Sequence, residues 1–150
     1  MTTIDDVLTA VAAQVILLDF TEGTSGIPVV VYKVPARQAG IDPATQIVIC
    51  PSRTPGGEKP RNFGQREYTH LVDVILFASG LNDLITNLPE YTTIIQTMLI
   101  HFAKPLDWAI PSRKVTSRPV KLFDPMILAR AKIDCLAIEV AVTVVEQVVS

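Results

Sequence analysis

From Glu67 to Ala78 apolar and polar positions alternate with a period of two. Tyr68, His70, Val72, Val74, Leu76 and Ala78 fall on one face, and Thr69, Leu71, Asp73, Ile75 and Phe77 on the other. Alternation rich in β-branched and aromatic residues predicts a strand covered on one face and partly on the second. Ser79-Gly80 ends it. The period then lengthens: Leu81, Leu84, Ile85, Leu88, Tyr91, Ile94, Ile95, Met98, Leu99 and Phe102 recur every three or four residues, the stripe of an amphipathic helix. Pro89 inside that stripe implies either a kink or a break, the latter with Asn87 capping a new helix opened by Pro89 and Glu90. The unbroken phase of the stripe favours one kinked helix.

The flanking segments supply more sheet. Thr3 can cap a first helix whose stripe is Ile4, Val7, Leu8, Val11, Val15 and Leu18, with Asp5 and Asp6 in its first turn. Residues 22–26 read as a loop, Pro28–Val34 as a strand, and Gln46–Pro51 as a second strand. Ser52–Gln65 holds Pro55, Gly56, Gly57, Pro60 and Gly64, which predicts a long mobile loop. Lys104-Pro105 stops the long helix, and Asp107–Pro119 reads as irregular. Val120–Phe123 is a candidate short strand, and Asp124-Pro125 opens a helical turn to about Lys132. Ile133–Val145 is a last long strand, with Leu136, Ile138, Val140, Val142 and Val144 on its apolar face. Its mixed second face suits a contact between subunits or a wet surface. The expectation is one α+β domain over residues 1–150, a mostly antiparallel sheet with the N-terminal helix and the long helix on one face.

Composition changes the picture in one respect. Hydrophobic residues make up 49% of the 150 and charged residues 19%. That is apolar enough to expect surface buried between subunits. Every apolar run is interrupted before membrane-spanning length, and the first residues lack the basic start of a signal peptide, so no membrane partner is expected. Cys50 and Cys135 in apolar strands read as buried thiols of a protein made in a reducing cytoplasm.

Motifs for chemistry are absent from the sequence. His70 and His101 stand in no HxH, HExxH or CxxC pattern, and His70 and Asp73 point to opposite faces of one strand. Gly56-Gly57-Glu58-Lys59-Pro60 lacks phosphate-loop spacing, and Pro60 stands where a helix would have to start. Neither GxSxG nor GxGxxG occurs. No catalytic residue, cofactor or metal site is expected, and the chain is read as a non-enzyme.

Charge is the remaining signal. The net charge of -2 excludes a generally basic nucleic-acid binder. Yet most basic residues gather in two segments: Arg53, Lys59, Arg61 and Arg66, then Lys104, Arg113, Lys114, Arg118 and Lys121, against Glu58 and Asp107. They read either as solvated loops or as a basic pole for an acidic partner surface or passing DNA. Trp108, the single tryptophan, either plugs the core or anchors an interface.

This layout resembles the tail-terminator (tail-completion) proteins of long-tailed bacteriophages and related contractile particles. It shares an N-terminal helix, strands, a long hairpin-like loop, a Tyr68–Ala78 type strand leading into a long helix, and a returning terminal stretch at Asp124–Val145. The resemblance spans nearly the whole chain and carries no short signature. It implies a homo-oligomeric ring, expected to be a hexamer, that caps the tail tube and joins it to the head connector. Tube and sheath proteins would be its partners, and DNA would pass through the ring. The site would be a virion neck assembled in the host cytoplasm. The Ser52–Arg66 loop would project toward tube, sheath or a neighbouring subunit. The alternative is a small ligand-binding or regulatory α+β domain, dimeric through its last strand.

Overall fold

The computed structural model describes residues 2–23, 25–38, 45–52, 58–60, 65–119 and 134–147. Helix α1 (Ile4–Leu17) opens on a reciprocal cap. The Thr3 hydroxyl accepts from the Asp6 N–H at 3.2 Å, and the Asp6 carboxylate accepts from the Thr3 N–H at 2.9 Å. Two short strands follow, β1 (Thr21–Glu22) and β2 (Ser25–Gly26), paired antiparallel where only a loop is predicted. Gly23 turns that hairpin at φ 62°, a conformation glycine adopts without steric cost.

The main sheet comprises β3 (Val29–Val31), β4 (Gln46–Pro51), β5 (Glu58–Pro60), β6 (Gln65–Phe77), β7 (Ser112–Pro119) and β8 (Cys135–Gln147). The order is β3-β4-β6-β8-β7, with β5 beside the start of β6. Only β3 and β4 run parallel; the other described pairs are antiparallel. The fold is therefore α+β with a mostly antiparallel sheet, as the periodicities predict. Strands β6 and β8 match residue for residue from Gln65↔Gln147 to Phe77↔Cys135 and form its spine.

Four further segments depart from the sequence expectation. The long helix is broken, not kinked, into α2 (Leu81–Thr86) and α3 (Leu88–Phe102). Asn87 leaves helical geometry (φ -108°, ψ 24°), and its side chain donates to the Asp83 carboxylate at 2.7 Å. Pro89 then falls in the first turn of α3, where a missing N–H costs nothing. Within the expected 52–65 loop, β5 pairs with Arg66–Tyr68, which β4 leaves open by ending opposite Val72. Residues 112–119, expected to be irregular, form edge strand β7: β8 supplies the ladder, and period-two placement turns Val115 toward the core. The strand expected over Pro28–Val34 shortens to β3. The features expected over Val120–Phe123 and Asp124–Lys132 lie outside the described residues.

Both faces of the sheet centre are buried. The helices cover one, where Val72, Val74, Leu76, Leu136, Ile138 and Val140 meet Val7, Val11, Ile95, Met98 and Phe102. Helix α1 lies over β3 and β4, and α3 over β7 and β8. On the other face Val48, Cys50, Ile75, Phe77 and Ala137 form a smaller cluster. That second face of β8 is thus not a wet surface at its centre. Both cysteines remain thiols, Cys50 buried and Cys135 half-buried.

Candidate interaction surface

Parts of the two basic segments come to one end of the sheet, which Glu67 and Glu146 share. Register places Lys59 opposite Glu67, Glu67 opposite Val145, and Ser112 opposite Val144, so β5, β6, β8 and β7 share that end. Arg66 and Lys114 are exposed there, and the backbones of Lys59 and Arg113 lie beside them; the β7 register shifts between Ser112 and Lys114. Arg53 and Arg61 lie outside the described residues.

Arg118 sits deeper, in a row that crosses the sheet as Cys50, Asp73, Glu139, Arg118. Its Nε donates to Glu139 Oε1 at 3.1 Å, and the Ser52 hydroxyl donates to Glu139 Oε2 at 3.3 Å. The Glu139 side chain is 11% exposed. Two carboxylates directly opposite one another repel, and Arg118 offsets that repulsion. Arg118 is thus committed within the sheet as much as it is offered outward. Arg118→Met should lower stability by about 1–2 kcal/mol, because Glu139 then keeps its burial and loses its counter-charge. Adding Glu139→Gln should recover part of that loss in urea denaturation.

Trp108 stands in the segment 107–111 that leads into β7. Half-buried against the helix-side core, it walls a groove of about 600 Å³ floored by Thr9, Ala10 and Ala13 of α1 and closed by Ile110 and Pro111. Buried Gln14 ties the groove together: its Nε2 donates to the Asp107 carbonyl at 3.3 Å, and its Oε1 lies 2.8 Å from His101 Nε2. An amide oxygen only accepts, so His101 Nε2 carries the proton. Position 14 in the middle of an apolar run is the sequence signal for this tie.

A second polar centre lies under the α2–α3 junction. The Tyr91 hydroxyl sits 2.6 Å from Asp83 Oδ2 and 2.7 Å from Glu22 Oε1, and the Ser79 hydroxyl donates to the same Asp83 oxygen at 2.9 Å. Burial first, and then the Asp83 acceptor, push the Tyr91 hydroxyl well above its ordinary pKa. Burial pushes Asp83 upward, but the hydrogen bonds from Tyr91, Ser79 and Asn87 outweigh it and hold this carboxyl below its usual range. Tyr91 reads in sequence as one more member of an apolar stripe; the unmet need of a buried phenol for a partner is the clue.

His70 projects on the helix side of β6 and Asp73 on the opposite side, so the two do not form a pair. Among the described residues no group of three or more His, Cys, Asp or Glu is placed to hold a metal ion, and no helix is long and apolar enough to cross a membrane. No family model matches the chain, and no curated protein matches it.

Proposed function

We propose that this chain is a structural subunit of tail-terminator type, which assembles with copies of itself into a ring that caps a tail tube and joins it to the head connector. One observation carries the reading. After Asp6, α1 is apolar nearly all round, yet Ile16 is 58% and Leu17 72% exposed, and Val31, Tyr32 and Val34 add to that surface. A helix apolar on every side belongs in an interior, and contact between subunits supplies one. Exposed Lys114, at the end of the sheet where Arg66 stands opposite Glu146, is then a basic contribution to the surface for an acidic partner or for DNA passing through the ring. On this reading the chain has no catalytic role.

The test is the mass of the purified protein by light scattering over a range of concentration and salt. A ring-sized species, or a monomer that becomes one at high concentration, is the expected result; a monomer under every condition would refute the ring. The groove beside Trp108 favours a second reading, a dimeric ligand-binding domain. That reading predicts a tight dimer throughout and a raised melting temperature with a small apolar metabolite.

A further inference from the structure

His70 sits on the helix-side face of β6, with Val142 of β8 opposite it and Val115 of β7 next in the same row. Its Nε2 is shut off from solvent and has no hydrogen-bond partner. A neutral imidazole tolerates that position, because the bare nitrogen can face the apolar row while the other nitrogen carries the proton. An imidazolium does not. Both of its nitrogens carry N–H, and the buried one is left without an acceptor. Burial accordingly pushes His70 below its ordinary value of 6.5, and the Glu146 carboxylate pulls it partly back.

Glu146 of β8 and Arg66 of β6 stand opposite each other on the face that His70 shares, and Glu58 of β5 holds the register position opposite Tyr68. Asp5 and Asp6 lie in the first turn of α1, where Asp6 accepts from the Thr3 N–H; Lys114 of β7 stands on the other face, opposite Thr143. Among these groups Glu146 is the one whose charge acts on His70. It is already in use: its Oε1 accepts the Thr2 N–H, which ties the chain before α1 to the end of β8. Thr2 in turn lines the groove that Trp108 walls.

We propose that His70, Glu146 and Thr2 form a pH-operated latch on this groove: when His70 takes up a proton, Glu146 turns from the Thr2 N–H to the imidazolium, and the groove loses the wall that Thr2 supplies. No covalent bond changes. One proton enters from water, and one backbone hydrogen bond is exchanged for a charge-assisted one. The latched form must bury an unpartnered N–H once His70 is charged, whereas the released form pairs it, so acid shifts the population toward release. The unfolded chain takes up its proton at the ordinary value, so the latched fold also loses stability as pH falls below 6.5. His101, the imidazole beside the groove, does not work the latch. Its Nε2 already donates to Gln14 and keeps that bond in either charge state. The latch lies within one chain and acts alike in a ring subunit and in a dimer.

Trp108 is the single tryptophan, so its fluorescence reports on the groove. In the parent, quenching of that fluorescence by acrylamide should rise in a one-proton transition between about pH 8 and pH 5. His70→Gln should hold the quenching of the parent at neutral pH across the whole range. Glu146→Ala, which leaves Thr2 without its acceptor, should show the raised quenching at every pH. Glu146→Gln keeps an acceptor for Thr2 but offers the imidazolium no charge, so its transition should move to lower pH; this arm stands even if His70→Gln fails to fold by circular dichroism. A parent with flat quenching overturns the latch, as does a folded His70→Gln that still shows the rise. A Glu146→Ala that matches the parent at pH 8, or a Glu146→Gln with the parental midpoint, overturns it as well.

Discussion

Replacing Phe102 with alanine is expected to remove about 3–5 kcal/mol of stability, the largest effect of any truncation to alanine among the described residues. Phe102 is fully buried at the last turn of α3 and heads the largest fully buried side chains. It belongs to the cluster that joins the helices to Leu136, Ile138 and Val140 of β8. Truncation leaves a cavity that neither a helix end nor a central strand can collapse to fill, so the lost contacts are not recovered. Against a typical total of about 5–15 kcal/mol this is a large share. It should lower the melting temperature by roughly 10 °C or more in a chain of this size. Ile100→Ala on the same helix, at a position 58% exposed, is the control and should change stability by less than about 0.5 kcal/mol. Equal losses at both positions would mean that α3 does not pack as described.

Tyr91→Phe is expected to cost about 1.5–3 kcal/mol, because the hydroxyl it removes is buried and bonded to charged acceptors. The phenol carries one proton and faces two carboxylate oxygens, at 2.6 and 2.7 Å. Loss of the hydroxyl strips a donor from Asp83 and unties β1 from the α2–α3 junction. The pH dependence distinguishes this from a simple packing defect. Tyr91 has a raised pKa in the fold, so its contribution is complete below the unfolded value near 10 and is lost as pH rises beyond it. Asp83 has a lowered pKa, so its contribution is present above the unfolded value near 3.8 and is lost as pH falls through the folded one. The variant should therefore lose the part of the parent's alkaline slope that Tyr91 supplies. The acid slope should only shrink, because Ser79 and Asn87 still donate to Asp83. A variant with the parental alkaline slope would place the responsible group elsewhere.

The proposed assembly also gives the exposed apolar residues a consistent role. Leu17 contributes nothing to the core cluster, whereas Leu8 on the same helix is buried in it. Two leucines nine positions apart on one helix thus face different tasks: one holds the fold together, and the other is available to a neighbour.

The sequence by itself determined the elements whose periodicity is their own. Strand β4 falls at the predicted Gln46–Pro51, β6 within two residues of the predicted start, and α1 opens at Thr3. In each, one face must be buried, and the alternation records which. The apolar face of β8 from Leu136 to Val144 was legible for the same reason, and so was the stripe from Leu84 to Phe102. Tertiary structure alone decided the rest. Strand β7 carries Lys114, Thr116 and Arg118 toward solvent and has little apolar pattern, so its extended form depends on the ladder that β8 offers. Strand β5 likewise exists because β4 stops at Pro51 and leaves the start of β6 open. The break at Asn87 turned on geometry that an intact apolar phase conceals. Residues far apart in the chain met only through strand order: Ser52, Arg118 and Glu139 in one hydrogen-bonded row, and Glu22 with Asp83 at Tyr91. A period reports burial along one element. Which polar groups become partners is set by how the elements are arranged in space.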